Sequence, residues 1–182
     1  PALVAEVMMD VRARRADRRG ELHGLVGGGG AAQGVGERAR LFHERHAGGE
    51  VAGGRSRIAA ELKRVKPDIV VIELGANDGL RGLPLAQTRA NLEKMIKAAQ
   101  ARKAKVLLVG MRMPPNYGPD YTRGFEQNYS VLAKQYGTAL LPFLLEGVAL
   151  QPGLMQADGL HPTAQAQPKV LDNVWPLLKP LL

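Results

Sequence analysis

The sequence predicts one α/β domain, residues 1–182, folded as a three-layer α/β/α sandwich on about five parallel strands. Two observations carry this. The runs Ile69–Leu74 and Val106–Val109 are almost wholly apolar instead of alternating, as in strands buried on both faces. They alternate with segments whose apolar residues recur every three or four positions, which implies helical crossovers and a parallel sheet covered on both sides. A length of 182 residues suits one domain with a sizeable core.

In order along the chain, Ala2–Met8 (ALVAEVM) is the only early apolar run able to serve as a first strand. Arg55–Val65 reads as a helix, with Ile58, Leu62 and Val65 on one face. Lys66-Pro67-Asp68 ends it and leads into the strand Ile69–Leu74. Gly75–Pro84 reads as a loop. Leu85–Ala101 is a second helix, burying Leu92, Met95, Ile96 and Ala99. Val106–Val109 is the next strand, followed by a Pro-rich loop, Gly110–Gly118. Tyr121–Tyr136 is a third helix with Phe125, Tyr129, Leu132 and Ala133 inward, and Gly137 fits just past its end. Thr138–Leu141 is a short strand and Glu146–Leu160 is irregular. Thr163–Leu178 is a terminal helix interrupted near Pro168.

Composition excludes several chemistries. The chain has no cysteine, hence no disulfide, thiol nucleophile or Cys-zinc site. No apolar run is long enough to cross a membrane, and Pro1–Gly20 shows no apolar signal-peptide core. The net charge of +8 reads as a solvated basic surface with at most peripheral membrane contact. Lys and Arg are not interleaved with aromatics, so no nucleic-acid partner is expected. Gly27-x-Gly29-x-x-Ala32 follows no convincing strand and makes a weak dinucleotide fingerprint. His43 and His46 lack an evident third ligand, so no metal site is expected.

Residues 1–54 differ in composition from the rest. They contain no Ser, Thr, Lys, Ile, Asn, Tyr or Trp, yet hold more than half of the 22 glycines. Such a shift marks a domain boundary, a flexible arm or a reading-frame error in a GC-rich gene, and the abruptness of the change favours the last.

The chemistry-bearing residues stand in two clusters. Gly75-Ala76-Asn77-Asp78-Gly79 ends the Ile69–Leu74 strand, and ligands of open α/β sheets bind beyond the carboxyl ends of strands. An Asn77 amide there can donate to a substrate oxygen, although an Asx bend would use the same residue. Asp158-Gly159-Leu160-His161-Pro162 sets a carboxylate and an imidazole three residues apart; alone, it also fits a helix-entry Asp beside a solvent-facing His.

Together, G-x-N-D after a strand and a late D-x-x-H-P resemble the SGNH-hydrolase (GDSL esterase) superfamily, and VIELGANDGLRGLP is close to its bacterial arylesterase, thioesterase and lysophospholipase branch. The resemblance covers about Gly53 to Leu182. It implies a flavodoxin-like sandwich and a serine esterase of broad specificity acting on aryl esters, acyl thioesters or lysophospholipids, with no cofactor. By resemblance, His161 is the base and then the acid of a Ser-Asp-His triad, Asp158 orients it, and Asn77 is an oxyanion donor. A backbone N–H near Gly48 would be a second donor, and Asp78 a structural partner of its loop. Gly75, Met111, Pro114 and Tyr117 are candidates for an acyl or aryl pocket. The branch implies a periplasmic or secreted location. The nucleophile should lie near Arg14, after the first strand, so Asp10 to Arg15 should face His161 across the cleft; that run contains no serine. The chain has only Ser56, at an expected helix N-cap, and Ser130, within a predicted helix. A carbohydrate O-acetylesterase and a catalytically inactive binding module are the alternatives.

Overall fold

A computed structural model describes residues 7–11, 39–42 and 50–182. Five strands form one sheet: β1 (Val7–Val11), β2 (Ala39–Phe42), β3 (Ile69–Glu73), β4 (Lys105–Val109) and β5 (Ala139–Leu141). Their order is β2-β1-β3-β4-β5. Five helices accompany them: α1 (Glu50–Val65), α2 (Ala76–Leu80), α3 (Leu85–Ala101), α4 (Pro119–Tyr136) and α5 (Gln167–Leu178).

The apolar runs explain the layering. Successive strand residues point to opposite faces, so β3 sends Val70 and Ile72 one way and Ile69 and Val71 the other. Val106 and Leu108 of β4 join the first pair under α1, α3 and α4. Leu107 and Val109 join the second pair over Val174 and Leu178 of α5. This is the expected α/β/α sandwich. α3 has the bounds its periodicity predicts, and Leu92, Met95, Ile96 and Ala99 are all fully buried. Gly137 ends α4 at φ 61°, a left-handed conformation that glycine adopts without a Cβ penalty.

Strand polarity departs from expectation. β3, β4 and β5 are parallel, but β1 pairs antiparallel with both β3 and β2. Helical crossovers enforce parallel direction. α1, α3 and α4 supply them for β2 to β3, β3 to β4 and β4 to β5, and those four strands do share one direction. Among the described residues no crossover helix joins β1 to another strand, so none of these crossovers fixes its polarity. Asp10 belongs to β1, opposite Val70, and Val11 lies opposite Ile69, the first residue of β3. Asp10 and Val11 therefore sit at the amino end of β3, away from Gly75, which corrects the placement of Asp10 across from His161. Arg14 itself lies outside the described residues.

Three smaller differences have local causes. α1 begins at Glu50, so Ser56 is interior and its hydroxyl donates to the Gly53 carbonyl at 2.8 Å instead of capping the helix. The expected Gly75–Pro84 loop contains α2. Pro168 occupies the first turn of α5, where its missing N–H costs nothing, so it opens that helix rather than interrupting it. Among the described residues no helix is long and apolar enough to cross a membrane.

Candidate active site

Asp158 and His161 meet because the turn between them is tightly framed. Gly159 takes φ 67°, allowing the chain to reverse. The Gln156 N–H donates to the His161 carbonyl at 2.7 Å, and a bridge joins Met155 to Pro162. The Thr163 hydroxyl donates to the Gly153 carbonyl at 3.0 Å. Inside this frame Asp158 divides its carboxylate. Oδ1 accepts the backbone N–H groups of Leu160 and His161 at 2.9 and 3.1 Å. Oδ2 faces His161 Nδ1 at 2.6 Å, a short contact of the charge-assisted kind. The imidazole bond and the two N–H bonds hold the Asp158 carboxyl down at about 2. The imidazole is half-buried, while Asp158 is more open to solvent.

The turn lies at the carboxyl end of the sheet. The Leu144 N–H donates to the Gly110 carbonyl just beyond β4, anchoring the connection there. α5 then runs back beneath the sheet until the Lys105 ammonium, at the start of β4, donates to the Leu181 carbonyl at 2.7 Å. The N-terminal end of α5, which follows His161, is therefore at the opposite end of the strands.

Asn77 occupies the same end, in the first turn of α2, directly after β3. Gly75 makes this entry possible. Its φ is 123°, and a Cβ added there would lie within 3.0 Å of the Tyr129 hydroxyl. Asp78 is buried and structural, receiving the Thr88 hydroxyl at 3.5 Å and a backbone bond from Val51. Burial pushes its carboxyl up, against the opposing pull of those bonds and of Arg81.

The remaining candidates sit as follows. Gly75 is buried, and Met111 packs in the main core cluster. Pro114 is half-buried, and the Tyr117 hydroxyl donates to the Leu80 carbonyl at 2.8 Å. Ser130 is exposed on α4 and donates back to the Gln127 carbonyl at 3.2 Å. Gly48, His43, His46 and the Gly27–Ala32 motif lie outside the described residues. Sequence reasoning did not single out the hydroxyls of Tyr121 and Tyr129, which also grip the Asn77 segment. The available signal was the four-residue spacing of the rings at 117, 121, 125 and 129.

A model of the GDSL-like Lipase/Acylhydrolase family matches residues 20–167. Esterase TesA of Pseudomonas aeruginosa is 53% identical over 143 residues, 79% of this chain and 71% of its own. The Escherichia coli K12 protein named Thioesterase 1/protease 1/lysophospholipase L1 is 43% identical over 129 residues, 71% of this chain and 62% of its own. The structure of the psychrotrophic esterase EstA from Pseudoalteromonas sp., inhibited by monoethylphosphonate, superposes with a TM-score of 0.68 at 37% identity, covering 71% of this chain and 70% of that one.

Proposed function

This chain belongs to the GDSL-like lipase/acylhydrolase family, and on that premise we propose that it is a carboxylic ester hydrolase of broad specificity. Its substrates are small acyl esters, namely aryl esters, acyl thioesters and lysophospholipids. The names of the esterase and of the thioesterase/lysophospholipase relatives support esters, thioesters and lysophospholipids within that range. One observation carries the reading: the Asp158–His161 pair, 2.6 Å apart, stands at the same end of the sheet as Asn77.

Asp158 holds the proton on Nδ1 and so keeps the lone pair on Nε2. Through Nε2, His161 takes the proton of the attacking hydroxyl as a bond forms to the acyl carbon. The carbonyl electrons move onto oxygen, and Asn77 donates to that developing oxyanion. When the intermediate collapses, His161 returns the proton to the departing alcohol or thiol. A water activated by the same imidazole then releases the acid. A preorganised donor such as Asn77 is worth on the order of 10²–10³ in rate.

By the family resemblance the attacking hydroxyl belongs on the segment before Gly53, where the sequence holds no Ser, Thr or Tyr, so the esterase reading goes with the reading-frame error favoured above. Ser56 and Ser130 are each bonded back to their own helix. The printed sequence has no serine before Ser56, and that observation favours one second reading, a module that keeps the base and oxyanion donor but cannot acylate. Labelling with a fluorophosphonate and mapping the adduct by mass spectrometry separates the two. An esterase gains one covalent adduct, which His161→Ala suppresses. A protein that stays unlabelled while folded is the inactive module.

A further inference from the structure

The segment Leu74–Leu83 carries Asn77 but has few resources to hold its own shape. α2 is five residues long, too short to persist alone in water. The last carbonyls of a helix also lack intrahelical partners. Three tyrosine hydroxyls add bonds to carbonyls at both ends of the segment. Tyr129, fully buried on α4, donates to the Leu74 carbonyl at 2.9 Å, just before the helix. Tyr117 donates to the Leu80 carbonyl at 2.8 Å, at its end. Tyr121 lies 3.2 Å from both the Gly79 and the Leu83 carbonyls and shares its single proton between them. Of the four tyrosines in the chain, three grip this one segment.

The grip is itself rigid. The Tyr117 and Tyr121 rings stack with centroids 6.1 Å apart, and Phe125 meets Tyr129 edge-on at 5.5 Å. Burial pushes the Tyr121 and Tyr129 phenols up, so both remain donors at any working pH. Gly75 and Gly79 have no room for a Cβ: one would strike the Tyr129 hydroxyl, the other Met113 and Phe125. The backbone of α2 is therefore pressed against the aromatic face that holds it.

We propose that the hydroxyls of Tyr117, Tyr121 and Tyr129 form a latch that fixes the direction of the Asn77 amide, making them positioning residues for the oxyanion donor. One clamp sits on the carbonyl entering α2 and two on the carbonyls leaving it, and Asn77 lies between. The latch rests on the oxyanion role proposed for Asn77. An oxyanion donor is effective only when its geometry is set before reaction, and a displacement near 1 Å costs about 10²-fold in rate.

The test uses Tyr121→Phe, and Tyr117→Phe with Tyr121→Phe, which keep the rings and remove only the hydroxyls. Hydrolysis of p-nitrophenyl butyrate is measured in each, alone and combined with Asn77→Ala. The expected loss in kcat for the double variant is about tenfold to hundredfold, with KM held within about threefold. On the Asn77→Ala background the further loss should shrink to less than about twofold, because the hydroxyls act through that side chain. An equal loss on both backgrounds overturns the latch.

An Asn77→Ala variant with unchanged kcat refutes the oxyanion role instead. Hydrogen exchange, which needs no turnover, then decides whether the hydroxyls hold the segment. The N–H groups of Gly79, Arg81, Gly82 and Leu83 all bond within it. They should exchange at least about tenfold faster in the double variant while the core of α3 is unchanged. Unaltered exchange at these four amides overturns the latch even in an inert protein.

Discussion

Gly75→Ala is the smallest change that tests how the Asn77 segment is held. The residue sits at φ 123°, a conformation reserved for glycine. Forcing alanine into such a region costs about 1–3 kcal/mol. The new methyl also falls on the Tyr129 hydroxyl, with the ring carbon behind it at 3.5 Å. Relief requires Tyr129 to withdraw from the Leu74 carbonyl, leaving a buried acceptor unpaired at a cost of about 1–3 kcal/mol. The total of about 2–6 kcal/mol is a large part of the 5–15 kcal/mol that typically stabilises a domain. With a urea slope of about 2 kcal/mol per molar, the unfolding midpoint should fall by about 1–3 M. Tyr129→Phe removes the atom in collision, so Gly75→Ala should cost less on that background, and only the backbone strain should remain. A midpoint shift below about 0.5 M in the single variant, or an equal shift on both backgrounds, would refute the reasoning.

Three other perturbations probe the titratable groups. His161→Ala should lower ester turnover by about 10⁴-fold or more while the protein stays folded; turnover within tenfold of the parent excludes the imidazole as the base. The Asp158 carboxyl is held down at about 2, below its unfolded value, so its contribution to stability is present above about pH 4 and is lost as pH falls through the folded value. The stability gap between the parent and Asp158→Ala should therefore narrow between about pH 4 and pH 2, and a urea series showing a constant gap would contradict the bonding described. Asp78 is the reverse case. Its carboxyl is raised by burial, so the parent loses stability as pH rises through the folded value. Asp78→Asn should gain on the parent from acid to neutral pH, and a relative stability that does not change with pH would show that the carboxylate is not penalised.

What could be read from the sequence was local or periodic. Asp158 and His161 were legible because three residues separate them and Gly159 permits the turn. The sheet faces and α3 were legible because burial on both sides and helical spacing leave their mark residue by residue. α2 was not, because two glycines in GANDG read as breakers, and the hydroxyls that hold it lie 37 to 55 residues away in sequence. The polarity of β1 was not, because among the described residues no crossover helix ties it to a neighbouring strand. Ser56 was misplaced because α1 continues through Gly53 and Gly54, a pair that suggests a boundary; Gly54 lies where a Cβ would strike Leu74 and Met95.

The Asp158–His161 pair, proposed as the acid–base machinery, draws on very little of the chain. His161 and Asp158 are three residues apart, whereas Asn77 stands 84 positions before His161 (161 − 77). Ring-closure entropy grows with the logarithm of loop length, so bringing the distant partner into place costs about 3 kcal/mol more than closing the dyad. The dyad thus behaves as a portable cassette, and the amide as a property of the whole architecture. A sequence could acquire, lose or relocate the eleven-residue stretch from Gly153 to Thr163, which holds the turn together with its frame, without rebuilding the sheet. Recreating the setting of Asn77 would mean refolding everything between the two.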